Sequence, residues 1–175
     1  MNTPTLSNQE HSFLHGSGLL ADLMLERRWM LATAESCTGG MIAAACTDLA
    51  GSSRWFERGF VTYSNEAKTD LLGVHPGLIE AHGAVSEVVA RTMAAGAVRK
   101  SRAQVAVAVT GVAGPGGGSE HKPVGTVWFG FAVDGHLTSE MRRFDGDRAA
   151  VRTRTVEHAL RRLVELLSAP PAPQS

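Results

Sequence analysis

Residues 29–49, WMLATAESCTGGMIAAACTDL, decide how the chain begins to fold. The segment opens with an apolar run from Trp29 to Ala34, which is typical of a short buried strand. It continues as an alanine-rich stretch from Thr38 to Leu49, which favours a helix because alanine loses little entropy there. The pattern therefore predicts a strand and a helix joined by a turn at Ser36.

Strands and helices continue to alternate on both sides of this segment. Before it, an amphipathic helix is predicted to end near Arg27, with Ser7 and Glu10 in capping-box spacing and Leu14, Leu20, Leu23 and Met24 facing inward. After it, we predict strands near 60–63 and at 105–109, 124–133 and 137–144, and helices at 66–72, 86–102 and 147–167, with turns at 75–77 and 134–135. This alternation predicts an α/β fold with a mixed, mostly parallel sheet covered by helices on both faces. We expect one domain over residues 1–168 and a disordered proline-rich tail at 169–175.

The composition excludes several classes of protein. Seventeen basic residues balance seventeen acidic ones, so no net charge favours nucleic acid or an anionic membrane as partner. The apolar runs are too short to cross a membrane. Cys37 and Cys46 are too few for a disulfide framework, which favours the cytoplasm, and the histidines form no zinc motif. We therefore expect no metal and no cofactor.

Ser36 is the first candidate catalytic residue. A hydroxyl at a helix N-terminus lies near free N–H groups that stabilise a developing oxyanion. The same position suits a plain helix cap, with Gly39 and Gly40 serving only close packing, and the residues alone leave both open. Cys37 is a rival nucleophile, because the helix terminus would lower the pKa of a thiol.

Lys68 is the second candidate, in the corner segment YSNEAK at 63–68. The segment carries a phenol at Tyr63, an amide at Asn65 and the amine of Lys68, which is predicted to lie one turn into a helix. Most helical lysines are solvated, and this one can act as a base only if burial or a nearby cation lowers its pKa.

The third candidate is the glycine-rich stretch TGVAGPGGG at 110–118, which follows a predicted strand. Its backbone N–H groups could bind a small anion, and Thr110 at the strand end and Lys122-Pro123 beyond the glycines favour this over a plain flexible loop. The spacing matches no Walker loop. Since Ser36, the corner and this stretch all follow strands, they are expected to meet at one edge of the sheet. Arg148, at the start of the last helix, is a further candidate for phosphate.

Four stretches together resemble the CinA C-terminal domain family of nicotinamide-nucleotide amidohydrolases. They are AESCTGGMIAAACTDLAGSSRWFERGFVTYSNEAK at 34–68, LLGV at 71–74, GAVSE at 83–87 and AVTGVAGPGGGSEHKPVGTVWFGF at 108–131. The resemblance implies a three-layer α/β/α fold and deamidation of nicotinamide mononucleotide to nicotinate mononucleotide with release of ammonia. It also implies that Ser36 and Lys68 form a serine–lysine pair with Tyr63 and Thr110 close by, and that the protein is a homodimer.

On this basis we predict Ser36, Lys68 and Tyr63 as catalytic residues. The predicted substrate-binding residues are Glu35, Thr38, Gly39, Gly40, Asn65, Thr110, Gly111, Gly114, Gly116, Gly117, Gly118 and Arg148. Two alternatives stay open: a nucleotide-binding regulatory module without turnover, and a hydrolase that acts on a different amide.

Overall fold

The computed structural model of the protein describes residues 8–169, with side chains described from residue 16 onward. Three predictions lie outside the described residues or side chains. They are the capping box of Ser7 and Glu10, the inward orientation of Leu14, and the tail after Ala169. The helices are α1 (Asn8–Arg27), α2 (Met41–Thr47), α3 (Asn65–Leu72), α4 (Pro76–His82), α5 (Glu87–Arg99) and α6 (Arg148–Ser168). The strands are β1 (Leu31–Glu35), β2 (Phe56–Val61), β3 (Val105–Gly111), β4 (Thr126–Val133) and β5 (His136–Arg143).

The five strands form one sheet in the order β2-β1-β3-β4-β5. β1 pairs in parallel with β2 and β3, whereas β4 is antiparallel to both of its neighbours. Only β4 therefore runs against the other strands, which confirms the predicted mixed, mostly parallel sheet. Glu35 at the end of β1 pairs with Val61 on one side and Val109 on the other. The residues that follow these three strands consequently meet at one edge.

The two faces of the sheet are covered by different helices, as the predicted three layers require. Along β3, Val105, Val107 and Val109 face α1, α2 and α6, whereas Ala106 and Ala108 belong to the core beneath α3, α4 and α5. Small residues on the second face let α5 approach closely. A Cβ atom added at Gly130 would lie 2.3 Å from the carbonyl oxygen of Ala90 in α5.

Several element boundaries differ from the prediction. The structure contradicts a helix beginning at Thr38, because α2 begins at Met41. The helix α4 was not predicted; it begins where Pro76 occupies the first turn and the side chain of His75 accepts a hydrogen bond from the N–H of Gly77. The hairpin across Asp134-Gly135 is confirmed, as is the Asp147 cap on α6.

No helix within residues 8–169 is both long enough and apolar enough to span a membrane.

Candidate active site

Ser36 lies on a tight turn directly after β1. Its N–H donates to the carbonyl of Val109 at 3.1 Å, and its carbonyl accepts from the N–H of Gly39 at 3.1 Å. The turn closes through left-handed backbone conformations at Gly39 (φ 58°) and Gly40 (φ 103°), which only glycine adopts without strain. Ser36 is 9% exposed. The two glycines thus shape the backbone that presents the hydroxyl.

The expectation that a helix N-terminus lies directly at Ser36 is wrong. Residues 37–40 form the turn before α2, and the first N–H groups of that helix are already bound. The Glu35 carboxylate accepts from the N–H of Ile42 at 2.8 Å and from the N–H of Ala43 at 3.0 Å. Those helix N–H groups are therefore not free to bind an oxyanion.

Glu35 is a structural carboxylate in this arrangement. It is fully buried, and it also accepts hydrogen bonds from the hydroxyls of Thr38 at 2.7 Å and Thr33 at 3.3 Å. Both of its oxygens are thus occupied by the turn and by α2. Thr38 is buried too, so these two predicted substrate-binding residues hold the turn from within instead of lining an open surface.

Lys68 reaches Ser36 from α3, on which Ser64 caps the first turn by accepting from the N–H of Ala67. The Nζ atom of Lys68 lies 3.0 Å from the Oγ atom of Ser36. It also donates to the carbonyl oxygen of Thr62 at 2.8 Å, with the carbonyl of Tyr63 at 3.4 Å. Lys68 is 1% exposed, so the structure brings the two predicted catalytic residues into direct contact away from water.

The burial of Lys68 disfavours its charged form. Burial lowers the pKa of Lys68 from its ordinary value, because a desolvated ammonium loses its hydration. A neutral amine has two N–H bonds and one lone pair. Carbonyl oxygens can accept the N–H bonds but cannot donate to the lone pair, whereas the Ser36 hydroxyl can. The arrangement is that of a general base beside its nucleophile.

Cys37 is poorly placed to be the nucleophile. It is 6% exposed, and burial raises the pKa of its thiol to about 11. A thiol with this pKa is protonated near neutral pH, and the thiolate is the reactive form. The second cysteine, Cys46, is fully buried in the core, and its pKa is also raised by burial.

The phenol of Tyr63 turns away from Lys68. Tyr63 is 60% exposed, and its hydroxyl accepts from Nη2 of Arg148 at 2.8 Å. Arg148 also donates from Nη1 to the carbonyl of Gly114 at 2.8 Å. Tyr63 thus contacts Lys68 through its backbone carbonyl alone, while the arginine joins the corner to the glycine-rich loop.

Thr110 fixes a neighbouring segment. It is 1% exposed, and its hydroxyl donates to the carbonyl of Ala84 at 2.8 Å, in the stretch before α5. Gly111 packs under β4, since an added Cβ would lie 2.7 Å from the side chain of Val127. Like Glu35, these two predicted binding residues are engaged by the protein itself.

The outer part of the glycine-rich loop is open. Gly116, Gly117 and Gly118 are exposed, and a Cβ added at Gly116 would have no heavy atom within 4 Å. Gly114 is buried and has a left-handed conformation (φ 84°). Asn65 is exposed at the start of α3. Gly116 to Gly118 and Asn65 are thus open to solvent, and their role in substrate binding stays a prediction.

Sequence analysis missed Arg152, which lies one turn after Arg148 on α6. Its Nε atom donates to the carbonyl of Cys37 at 3.0 Å, and Nη2 donates to the carbonyl of Thr38 at 3.2 Å. The spacing of four residues from Arg148, on one helix face, was the available signal. Within residues 8–169, no cluster of three or more His, Cys, Asp or Glu side chains could hold a metal ion.

Comparisons with known proteins identify the family of the chain. The CinA C-terminal domain profile matches residues 17–167, which include Ser36, Lys68 and the glycine-rich loop. The nicotinamide-nucleotide amidohydrolase PncC of Enterobacter agglomerans is 57% identical over 133 residues, covering 75% of this chain and 81% of that protein. The protein of the same name from Escherichia coli strain K12 is 57% identical over 132 residues, with coverage of 75% and 80%.

A solved structure supports the same relationship. The competence damage-inducible protein A (ComA) from Klebsiella pneumoniae matches with a TM-score of 0.86 and 38% identity, covering 89% of this chain and 97% of that one. The matched region of the family profile contains every residue of the site described above. The chain therefore belongs to the CinA C-terminal domain family.

Proposed function

We propose that this protein hydrolyses the carboxamide of nicotinamide mononucleotide to give nicotinate mononucleotide and ammonia. The observation that carries the proposal is the 3.0 Å contact between the buried Lys68 amine and the Ser36 hydroxyl. An amine of lowered pKa beside a hydroxyl is suited to attack on an amide carbonyl. The choice of substrate rests on the two relatives that are 57% identical and are named nicotinamide-nucleotide amidohydrolases.

In the proposed first half-reaction, Ser36 becomes acylated. Lys68 takes the hydroxyl proton as the Ser36 oxygen forms a bond to the carboxamide carbon, giving a tetrahedral oxyanion. The oxyanion then collapses, the bond from carbon to nitrogen breaks, and the Lys68 ammonium returns its proton to the leaving nitrogen as ammonia. The carbonyls of Thr62 and Tyr63 hold the ammonium in place meanwhile.

In the second half-reaction, water hydrolyses the acyl-enzyme. Lys68 takes one proton from a water molecule that attacks the acyl carbon, and Ser36 leaves with that proton. The carboxylic acid that forms releases the second proton of the water to solvent and becomes the carboxylate product. Lys68 thus serves as the base in both half-reactions, and neither proposed step uses a metal.

The backbone N–H of Cys37 is the proposed oxyanion donor. It immediately follows the nucleophile, and within the described part of the chain it donates no hydrogen bond to the backbone of another residue. Donors of this kind stabilise the transition state more than the ground state, because the charge develops only during reaction.

The exposed glycine-rich loop and Arg148 are the proposed contacts for the ribose phosphate. Arg148 keeps guanidinium N–H groups beyond its bonds to Gly114 and Tyr63, and exposed backbone N–H groups of Gly116 to Gly118 can bind phosphate oxygens. Asn65 completes this outer group of contacts. We retain Tyr63 as a proposed site residue, with its phenol orienting Arg148 instead of relaying a proton.

We also propose that the protein is cytoplasmic and homodimeric. The two described cysteines are both free and buried, which suits a reducing compartment. The dimer rests on the resemblance of the sequence to its family. Light scattering on the purified protein would measure the assembly directly.

Ammonia release tests the function. Purified protein should convert nicotinamide mononucleotide to equal amounts of ammonia and nicotinate mononucleotide without added metal, and equally in the presence of a chelator. Hydrolysis of another amide in its place would support the alternative amidase. Tight binding of the nucleotide with no turnover would support a regulatory module, and either outcome contradicts the proposal.

A further inference from the structure

The turn that carries Ser36 is held on its outer side by the charged side chain of Arg152. Arg152 lies half-buried near the start of α6, and one guanidinium bonds both the Cys37 carbonyl at 3.0 Å and the Thr38 carbonyl at 3.2 Å. The remaining carbonyl of the turn, that of Ser36, accepts from Gly39 at 3.1 Å. Every carbonyl between residues 36 and 38 is therefore engaged.

This pattern of bonds fixes the free donor of the turn. The carbonyl and N–H of a trans peptide unit point in opposite directions, and the peptide between Ser36 and Cys37 is trans. With the Ser36 carbonyl bound to Gly39, the Cys37 N–H must point away from the inside of the turn. Arg152 binds the next two carbonyls, of which that of Thr38 also accepts from the N–H of Met41 at 3.1 Å and that of Cys37 depends on Arg152, so the turn has little freedom to rotate this donor.

The interior of the protein holds the turn from its other side. Glu35 binds the Thr38 hydroxyl and the first N–H groups of α2. The acidic Glu35 thus bonds to the Ser36 turn from the buried side, and the basic Arg152 bonds to the same turn from α6. Gly39 and Gly40 make the backbone of this turn flexible, so the bonds from Glu35 and Arg152 are needed to fix its conformation.

We propose that Arg152 is a positioning residue that locks the Ser36 turn so that the Cys37 N–H faces the oxyanion. This inference rests on the proposed acylation of Ser36 and extends it to a residue outside the reacting pair. Arg152 acts through the backbone of the turn, whereas Arg148, one turn earlier, faces the loop and Tyr63. The two arginines therefore have separable effects on turnover and on substrate binding.

The test compares Arg152→Met and Arg152→Lys with a matched control, Arg154→Met. Arg154 lies on the same helix and also donates to a backbone carbonyl, that of Asp145 at 2.5 Å, but it makes no contact with the turn. Misplacing a reacting group by about 1 Å costs about a hundredfold in rate. We expect Arg152→Met to lower kcat by about 10- to 100-fold with KM changed by less than about threefold.

The conservative variant separates geometry from charge. Lysine keeps the charge but cannot bond two carbonyls with one planar group, so Arg152→Lys should recover only part of kcat. Arg154→Met should leave kcat and KM unchanged. Thermal unfolding of all three variants gives the accompanying change in stability, and Arg152→Lys keeps the test decisive should Arg152→Met fold poorly.

A second readout does not depend on the pyridine substrate. A fluorophosphonate ester phosphonylates an activated serine: the Ser36 oxygen bonds to phosphorus, fluoride leaves, and Lys68 takes the proton. The phosphoryl oxygen needs the same N–H donor, so the second-order labelling rate should fall in the Arg152 variants and stay unchanged in Arg154→Met. Labelling of wild-type protein that releases no ammonia would contradict the proposed substrate while leaving the Arg152 comparison valid.

Three results would overturn the inference. One is a rise in KM with kcat and labelling unchanged, which would make Arg152 a substrate contact. Another is an Arg152→Met enzyme indistinguishable from Arg154→Met. The third is wild-type protein that the fluorophosphonate does not label at Ser36 at all.

Discussion

The Ser36 turn and the outer glycine-rich loop lie at the same edge of the sheet but are built in opposite ways. From Glu35 to Thr38 no residue is more than 9% exposed, and both side chains and backbone groups are bonded to neighbouring elements. From Pro115 to Gly118 every residue is exposed. One region is fixed by its surroundings, whereas the other has room to adapt.

This difference separates chemistry from recognition. A nucleophile and its base must be held within a few tenths of an ångström, and burial supplies both the position and the lowered pKa of Lys68. A phosphate needs only several N–H donors around it, which an exposed loop provides. We therefore expect changes in the turn to affect kcat and changes in the loop to affect KM.

Loss of the nucleophile should have the largest effect. Ser36→Ala should lower kcat by at least about a hundredfold, because it removes the hydroxyl that forms the acyl-enzyme. Cys37→Ala should keep most activity, since the buried thiol is protonated near neutral pH. Steady-state ammonia release measures both variants. The reverse pattern would make this a thiol enzyme and would contradict the assignment of Ser36.

A loop substitution should have a smaller effect, confined to binding. Gly117 has a left-handed conformation (φ 83°) that valine adopts only with strain, so Gly117→Val should displace the N–H groups of the loop. We expect KM to rise about 5- to 20-fold with kcat within about threefold, because a phosphate contact is made before and during reaction. An unchanged KM with collapsed turnover would place the loop at the reacting amide.

Gly135→Val is the matched control for this loop variant. Gly135 has nearly the same backbone conformation (φ 82°), and an added Cβ would have no heavy atom within 4 Å. It lies in the β4–β5 hairpin, at the edge of the sheet opposite Ser36, since Val133 pairs with Val105 at the start of β3. Gly135→Val thus introduces the same kind of backbone strain away from the glycine-rich loop, and its KM should equal that of the wild-type enzyme.

The sequence predicts the central strand β3 well because its signal is strong and local, whereas β2 runs over Phe56–Val61 and not over the predicted 60–63. Val105 to Val109 is an apolar run in the sequence, and every residue of the run is buried in the structure. The start of α2 was misplaced because alanine propensity does not reveal that the Glu35 carboxylate binds the N–H groups of Ile42 and Ala43. Such a cap depends on a side chain that lies on the preceding strand.

The contact between Ser36 and Lys68 could be predicted, but the bonds around it could not. Both residues follow or flank strand ends, and their motifs resemble a known family, so the sequence predicts that they lie together, as they do at 3.0 Å. The pairing of Tyr63 with Arg148 spans 85 positions in the chain, and that of Arg152 with Cys37 spans 115. Contacts at such separation are set by the packing of α6 on one face of the sheet, which brings its first turns to the Ser36 turn and which no local pattern encodes.

The central claim is that Lys68 is the base that activates Ser36. The pH dependence of the wild-type enzyme, Lys68→Arg and Lys68→Ala tests it most directly. Wild-type kcat/KM for nicotinamide mononucleotide should rise with pH through a pKa below the ordinary 10.5, because burial lowers the Lys68 pKa and the neutral amine is the base. Lys68→Arg keeps a cation that cannot deprotonate, so it should be nearly as inactive as Lys68→Ala across the whole range. A Lys68→Arg enzyme with close to native turnover would show that the position supplies only charge, and would contradict the serine–lysine mechanism.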